Sequence, residues 1–327
     1  MPIYYNEDEY NTLLSVADSE YNVVIPNEFF DDINKLKKEI NLSKDSKHVS
    51  FAYGYLFLIT YIYRYTKFHS HQEYGFTEQE IKKLLTISPD SYGKNSVNNI
   101  SKRGGILERM GYIEKVKDYP VSYDFDKEEN EFVFCYLSEI IEDLGDNATK
   151  LFPTNTKNRR VNFPVKMFED RDIPALNREC NGTIFDVTYT TSIDIRVFIY
   201  CMVREELGLE AFYLYSFIKF KNGYYGNYWR RSVKNIVEDT GLSQTVVQSR
   251  LKELEQHGMI SNTHEDFVVG ANKNEMNANG YMTQEYYRFI KNGEKKDYRR
   301  GRVVSILKPE EGEKFEGKVG EATAMLG

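Results

Sequence analysis

The chain is poor in cysteine, in tryptophan and in long apolar runs, and it has no surplus of positive charge. Its three cysteines, Cys135, Cys180 and Cys201, stand far apart without C-x-x-C spacing. Neither a disulfide framework nor a zinc knuckle is indicated, and such usage fits a reducing compartment. The longest apolar run, Ala52 to Tyr65, is tyrosine-rich and shorter than the ~20 residues that span a bilayer, so no membrane partner is expected. The opening MPIYYNEDEYN lacks the basic-then-apolar order of a secretory signal, which makes a cytoplasmic location the expectation. With 43 basic and 50 acidic residues the net charge is -7, and this excludes a histone-like coat of positive charge. Any nucleic-acid surface must be local.

Signatures of chemistry are missing as well. There is no G-x-x-x-x-G-K-[ST], no G-x-G-x-x-G and no H-E-x-x-H, so an ATPase or metalloprotease has no support. One pattern points towards a nuclease. His69-Ser70-His71 together with Tyr287 to Lys291 resembles the metal-binding and nucleophilic motifs of rolling-circle replication nucleases. Serine, however, replaces the bulky apolar residue that would turn both histidines to one face of a strand. The Tyr-x-x-x-Lys spacing also recurs at Tyr63/Lys67 and Tyr215/Lys219, as 26 tyrosines produce by accident. A protein without catalysis, metal or cofactor is therefore expected.

What is present centres on residues 232–269. Val233, Ile236 and Val237 give one apolar face to a short helix, and Thr240-Gly241-Leu242 supplies a tight turn. Ser243 caps a second helix, on which Val247, Leu251 and Leu254 face the first. Thr245, Gln248, Ser249, Lys252 and Gln256 fall on the opposite, hydrogen-bonding face. Gly258 suits a left-handed helix end, and Met259-Ile260, a polar stretch from Ser261 to Asp266, and Phe267 to Val269 predict a hairpin. The pattern resembles a winged helix-turn-helix, and the resemblance is carried by Thr240-Gly241-Leu242-Ser243 and by Leu254, Gly258 and Ile260. It implies that the second helix enters a major groove. An ordinary pair of amphipathic helices would show the same stripe.

At 327 residues the chain has room for two or three domains, and parts of it recur. Residues 24–32 (VIPNEFFDD) reappear as residues 162–170 (NFPVKMFED), and Ala52 to Ile59 reappears as Ala211 to Ile218. Thr77 and Glu80 make a capping box before an Ile81-Leu84-Leu85 stripe, and Leu107, Gly111 and Ile113 repeat the spacing of Leu254, Gly258 and Ile260. Ile113 to Tyr123 with Glu131 to Leu137 predicts a longer wing. The recognition-type helix of this first unit is expected from Ser96 to about Arg103, with Val97 and Ile100 inward and Asn98, Asn99, Ser101, Lys102 and Arg103 outward. Gly104-Gly105 interrupts it.

The expected fold is mainly α with small β wings (α+β), two tandem winged helix-turn-helix domains. Its boundaries are an N-terminal arm at 1–46, a first winged helix at 47–140, a linker and connecting elements at 141–207, a second winged helix at 208–270, and a basic, partly flexible tail at 271–327. Within the connection, Ser192 to Leu207 reads as a buried helix or strand-helix element. Tyr281 to Lys291 reads as a helix, and residues 288–302 carry seven basic residues against two acidic.

Such a tandem resembles the replication initiators of bacterial plasmids and phages. The resemblance implies sequence-specific binding of double-stranded origin repeats, homodimerisation through one half and recruitment of host replication proteins. The same mechanics would serve a transcriptional regulator or a partition factor, and a third reading is a protein-binding module that never meets DNA. The candidate contacts are Thr245, Gln248, Ser249 and Lys252 for bases. Arg230, Arg231 and Lys234 are candidates for phosphates; the competing reading is a solvent-facing charge cluster with Trp229 in the core. Asn98, Lys102 and Arg103 are candidates in the first unit, and Arg299, Arg300 and Arg302 in the tail.

Overall fold

In the computed structural model, residues 2–39, 46–69, 76–90, 96–128, 131–147, 160–168, 189–226, 228–264, 267–269, 278–291, 293–298, 303–307 and 314–315 are described. The first part of the chain runs through α1 (Glu7–Leu13), β1 (Asn22–Pro26), α2 (Glu28–Glu39), α3 (Ser46–Arg64), α4 (Glu78–Leu84), α5 (Asn98–Ser101) and α6 (Ile106–Arg109). It continues with β2 (Glu114–Val116), β3 (Pro120–Asp126), β4 (Glu131–Tyr136), α7 (Leu137–Leu144) and β5 (Val161–Phe163). The second part comprises β6 (Thr190–Asp194), α8 (Ile195–Met202), α9 (Gly208–Tyr225), β7 (Trp229–Arg230), α10 (Val233–Thr240) and α11 (Gln244–Gln256). Strands β8 (Ile260–Thr263), β9 (Phe267–Val269), β10 (Gly280–Thr283), β11 (Val303–Leu307) and β12 (Lys314–Phe315) close it. The fold is mixed α+β, with helices dominating over small sheets.

The core forms where the sequence is apolar on every face. From Val49 to Tyr63 every residue of α3 is buried, and so is every residue of α9 from Gly208 to Ile218. A helix apolar all round is stable only inside the protein, so these two pack against each other. Tyr53 and Phe212, which hold the same register in the repeated octapeptide, meet with ring centroids 5.7 Å apart, and Phe57 meets Phe212 at 4.8 Å. Gly54 lets the helices come this close. A Cβ there would stand 2.4 Å from Cδ2 of Leu209.

Phe30 of α2 closes the seam. It stacks on Tyr53 at 5.3 Å and on Phe220 at 5.4 Å, and meets Phe217 edge-on at 5.2 Å. Phe198 of α8 covers the other side against Phe57 and Phe212. The expectation of a buried strand-helix element at 192–207 matches β6 and α8, in which Ile193, Ile195, Val197, Phe198, Cys201 and Met202 are all buried. Strand β6 pairs antiparallel with β1, and the two recurring proline segments meet through Lys166, whose Nζ lies 2.9 Å from Glu28 and 3.4 Å from Asp32.

Several local expectations are revised. The hairpin in the first part is β3 with β4, and β2 pairs with β5 instead of extending into it. Asp118 makes the break between β2 and β3, because its carboxylate accepts from the backbone amides of Tyr119 and Ser138. In the second part β8 pairs with β10, in the sheet order β7-β10-β8, and not with β9, which lies parallel to β11. Tyr281 to Lys291 is therefore no helix: it opens in β10 and continues into a short 3-10 turn at Tyr286–Arg288.

Because Phe30 is buried by aromatic partners from two other helices, Phe30→Ala should lower the unfolding free energy by about 3–5 kcal/mol, read from urea denaturation of the full chain.

Candidate nucleic-acid interface

Helix α11 is fixed from below and left open above. Ser232 caps α10 by accepting from the amide of Asn235, and Gly241, at φ 69°, ends that helix in the left-handed region that glycine adopts without strain. Leu242 is buried, and Ser243 accepts from the amide of Val246 to start α11. Two contacts tie this turn to the central helices. The hydroxyl of Tyr213 in α9 donates to the carbonyl of Thr240 at 3.0 Å, and the amide of Ser243 donates to Oγ of Ser46, where α3 begins, at 2.9 Å.

The inner stripe is buried as its spacing predicts, with Val247, Leu251 and Leu254 all at 4 % exposure or less. Arg250, which the spacing did not single out, also turns inward. Its guanidinium bonds Glu210 at 2.8 and 3.1 Å and donates to the carbonyl of Glu206. Gln244, Thr245, Gln248 and Ser249 are exposed, so the outer face offers amides and hydroxyls without charge. Lys252 is half-buried, its Nζ 5.9 Å from the ring centre of Tyr298. Gln256, expected on this open face, is instead tied to the chain at Lys296 by two hydrogen bonds.

Two acidic residues near this face are engaged by partners within the chain. Glu253 bonds Lys295 at 2.8 Å, and Glu255 bonds His264 at 2.8 Å. The segment 289–298, described except at 292, runs along the C-terminal end of α11, where the amide of Ile290 donates to the carbonyl of His257 and that of Lys296 to the carbonyl of Gln256. Tyr298 ends it, with its ring edge-on to His264 at 5.3 Å. Arg299, Arg300 and Arg302 lie outside the described residues, immediately beyond.

The sheet flanks the helix pair. Arg230 is exposed on β7 and reaches the carbonyl of Ala278 at 3.3 Å, while the amide of Arg231 bonds the carbonyl of Asn279. Trp229 points into the core, against Phe217. Lys234 is exposed at the start of α10. Arg231 is engaged differently from the expectation of a phosphate clamp: its guanidinium makes two bonds to Asp239, at 2.8 and 3.0 Å. Tyr224 and Tyr225 at the end of α9 and Tyr228 just before β7, which the sequence reading passed over, are exposed. The signal was there, since a run of aromatics among Gly and Asn cannot all be core.

The equivalent stretch of the first part is broken. α5 holds four residues, Gly104 turns the chain at φ 68°, and α6 restarts at Ile106. Lys102 and Arg103 are exposed and Asn98 and Asn99 half-buried. Ser101 is buried, contrary to its expected outward position, because its hydroxyl bonds Glu78 at 2.5 Å. Of the nuclease-like pattern, Tyr287 is exposed, Lys291 lies with Nζ 4.5 Å from the ring centre of Tyr286, and Ser70 and His71 lie outside the described residues.

Among the described residues no helix is long and apolar enough to cross a membrane. In comparison with known proteins, no family model, no curated sequence and no solved structure matches the chain.

Arg231 and Asp239 are partly exposed, at 38 % and 26 %, so their bidentate pair is worth little beyond ~1 kcal/mol after solvent screening. A double-mutant cycle of Arg231→Ala and Asp239→Ala should return a coupling of about 0.5–1 kcal/mol in thermal unfolding.

Proposed function

We propose that the chain is a sequence-specific double-stranded DNA-binding protein whose second part is a winged helix with α11 as its recognition helix. The observation that carries this reading is the exposed row Gln244, Thr245, Gln248 and Ser249 on a helix buried along its opposite stripe and pinned at its start to both central helices. Uncharged amides and hydroxyls suit base edges, which present donors and acceptors and not net charge. At 13 residues the helix is about 20 Å long, enough to lie along a major groove. The sheet order β7-β10-β8, with a strand before α10 and the antiparallel pair of β8 and β10 after α11, supports the winged-helix reading.

In this reading β8 and β10 are the base of the wing, and Arg230 and Lys234 contact phosphates beside it. Arg231 braces α10. The tail arginines Arg299, Arg300 and Arg302 follow Tyr298 in the sequence, and Tyr298 stands beside Lys252; the reading gives them phosphate contacts. The interrupted α5–α6 stretch makes the first part the weaker DNA contact. Its shared helix interface with the second part supports a tandem arrangement in which α3 and α9 are corresponding first helices. The replication-initiator role rests on the resemblance of that duplicated plan to plasmid and phage initiators, and it implies binding to repeats at an origin.

A salt titration of the full chain against a randomised duplex library tests the reading. Selected duplexes should bind with an affinity that falls steeply with salt; binding indifferent to salt and sequence would defeat it. Gln248→Ala should weaken the selected site by about 1–3 kcal/mol and relax one base position. Replacing Arg299, Arg300 and Arg302 together should weaken all duplexes evenly and flatten the salt slope.

A further inference from the structure

The C-terminal end of α11 carries a cluster that DNA contact does not use. Glu253 lies in the last turn of the helix and His257 follows four residues later, so both side chains share one face. Glu206, from the loop between α8 and α9, faces them with Oε1 3.2 Å from Nε2 of His257. The three donor atoms lie within 4.8 Å of one another. Lys295 reaches in from segment 289–298, its Nζ 3.2 Å from Glu206 and 2.8 Å from Glu253.

The protons around His257 follow from its neighbours. The Tyr200 hydroxyl has a single proton to give. That proton goes to the carbonyl of Ile290 at 2.5 Å. The same hydroxyl lies 3.0 Å from Nδ1 of His257, and there it must accept, which puts the ring proton on Nδ1. Nε2 faces a carboxylate oxygen of Glu206 at 3.2 Å. The His257 side chain is only 5 % exposed. An imidazole nitrogen and two carboxylates converging on one point in this way can share a cation.

We propose that Glu206, Glu253 and His257 form a site for a divalent cation of the zinc class, which takes the place held here by the ammonium of Lys295. One imidazole nitrogen and two carboxylate oxygens, with a fourth position for water, are a zinc-type donor set. Tyr200 is the outer partner that fixes the imidazole tautomer. Binding requires the three donors to close on bonds of about 2.0–2.2 Å and Lys295, 36 % exposed, to swing out. The site stands independently of the DNA reading, since none of its ligands belongs to the exposed row from Gln244 to Ser249.

The test is a titration of the full chain with Co²⁺, followed by its visible absorption, with Zn²⁺ as competitor and dialysis for stoichiometry. One ion per chain is expected. Lys295→Ala removes the competing ammonium and should tighten binding about tenfold or more. Glu253→Gln should weaken it by at least about tenfold, in the native chain and in the Lys295→Ala background alike. Both substitutions lie at partly exposed positions, and circular dichroism confirms that each variant is folded. Failure of Lys295→Ala to bind one ion, or affinity unchanged by Glu253→Gln, would overturn the site and identify the cluster as an ion pair alone.

Discussion

The structure depends on the aromatic seam between α3 and α9. From Val49 to Tyr63 and from Gly208 to Ile218 neither helix faces water, so burying one against the other removes a large apolar surface from solvent. Everything else is placed by reference to this pair. Phe30 brings in α2, Phe198 brings in α8, and the hydroxyl of Tyr213 reaches from the seam to the turn before α11. Matching residues of the repeated octapeptide, Tyr53 and Phe212, meet in this seam.

Polar contacts then orient what the seam has placed. Arg250 is held between Glu210 and the Glu206 carbonyl, and a buried pair of this kind gives little net stability while penalising other arrangements of the helix. The segment from Phe289 to Tyr298 adds the second brace, along the C-terminal end of α11. Held at both ends, α11 leaves one row of small polar side chains to solvent. Preorganisation of this kind lowers the entropy lost on binding, which is why a rigid frame suits a reading helix in the proposed function.

Local chemistry in this chain was legible where a residue type has one physical use. The Thr77–Glu80 capping box, the Ser243 cap, glycine at 241 and 258, and the Val247-Leu251-Leu254 stripe were all readable, because caps, positive φ and helical periodicity depend on neighbours three or four residues away. Pairing across distance was not. β8 selects β10 across 16 intervening residues over the nearby β9, and no short-range pattern encodes that choice. Side chains able to go either way were misjudged for the same reason. Ser101 turns inward because Glu78 waits beneath it, and Arg231 is engaged because α10 presents Asp239 eight residues on. The tyrosines at 224, 225 and 228 are exposed, and the Gly and Asn among them were the local sign of it.

Amide hydrogen exchange on the full chain, with and without a duplex selected by the chain itself, bears most directly on the claim that α11 is the reading element. Exchange should slow at residues 243–252 when the duplex is added, with α3 and α9 unchanged. Slowing confined to residues 98–109 or 224–228, with 243–252 unaffected, would contradict it.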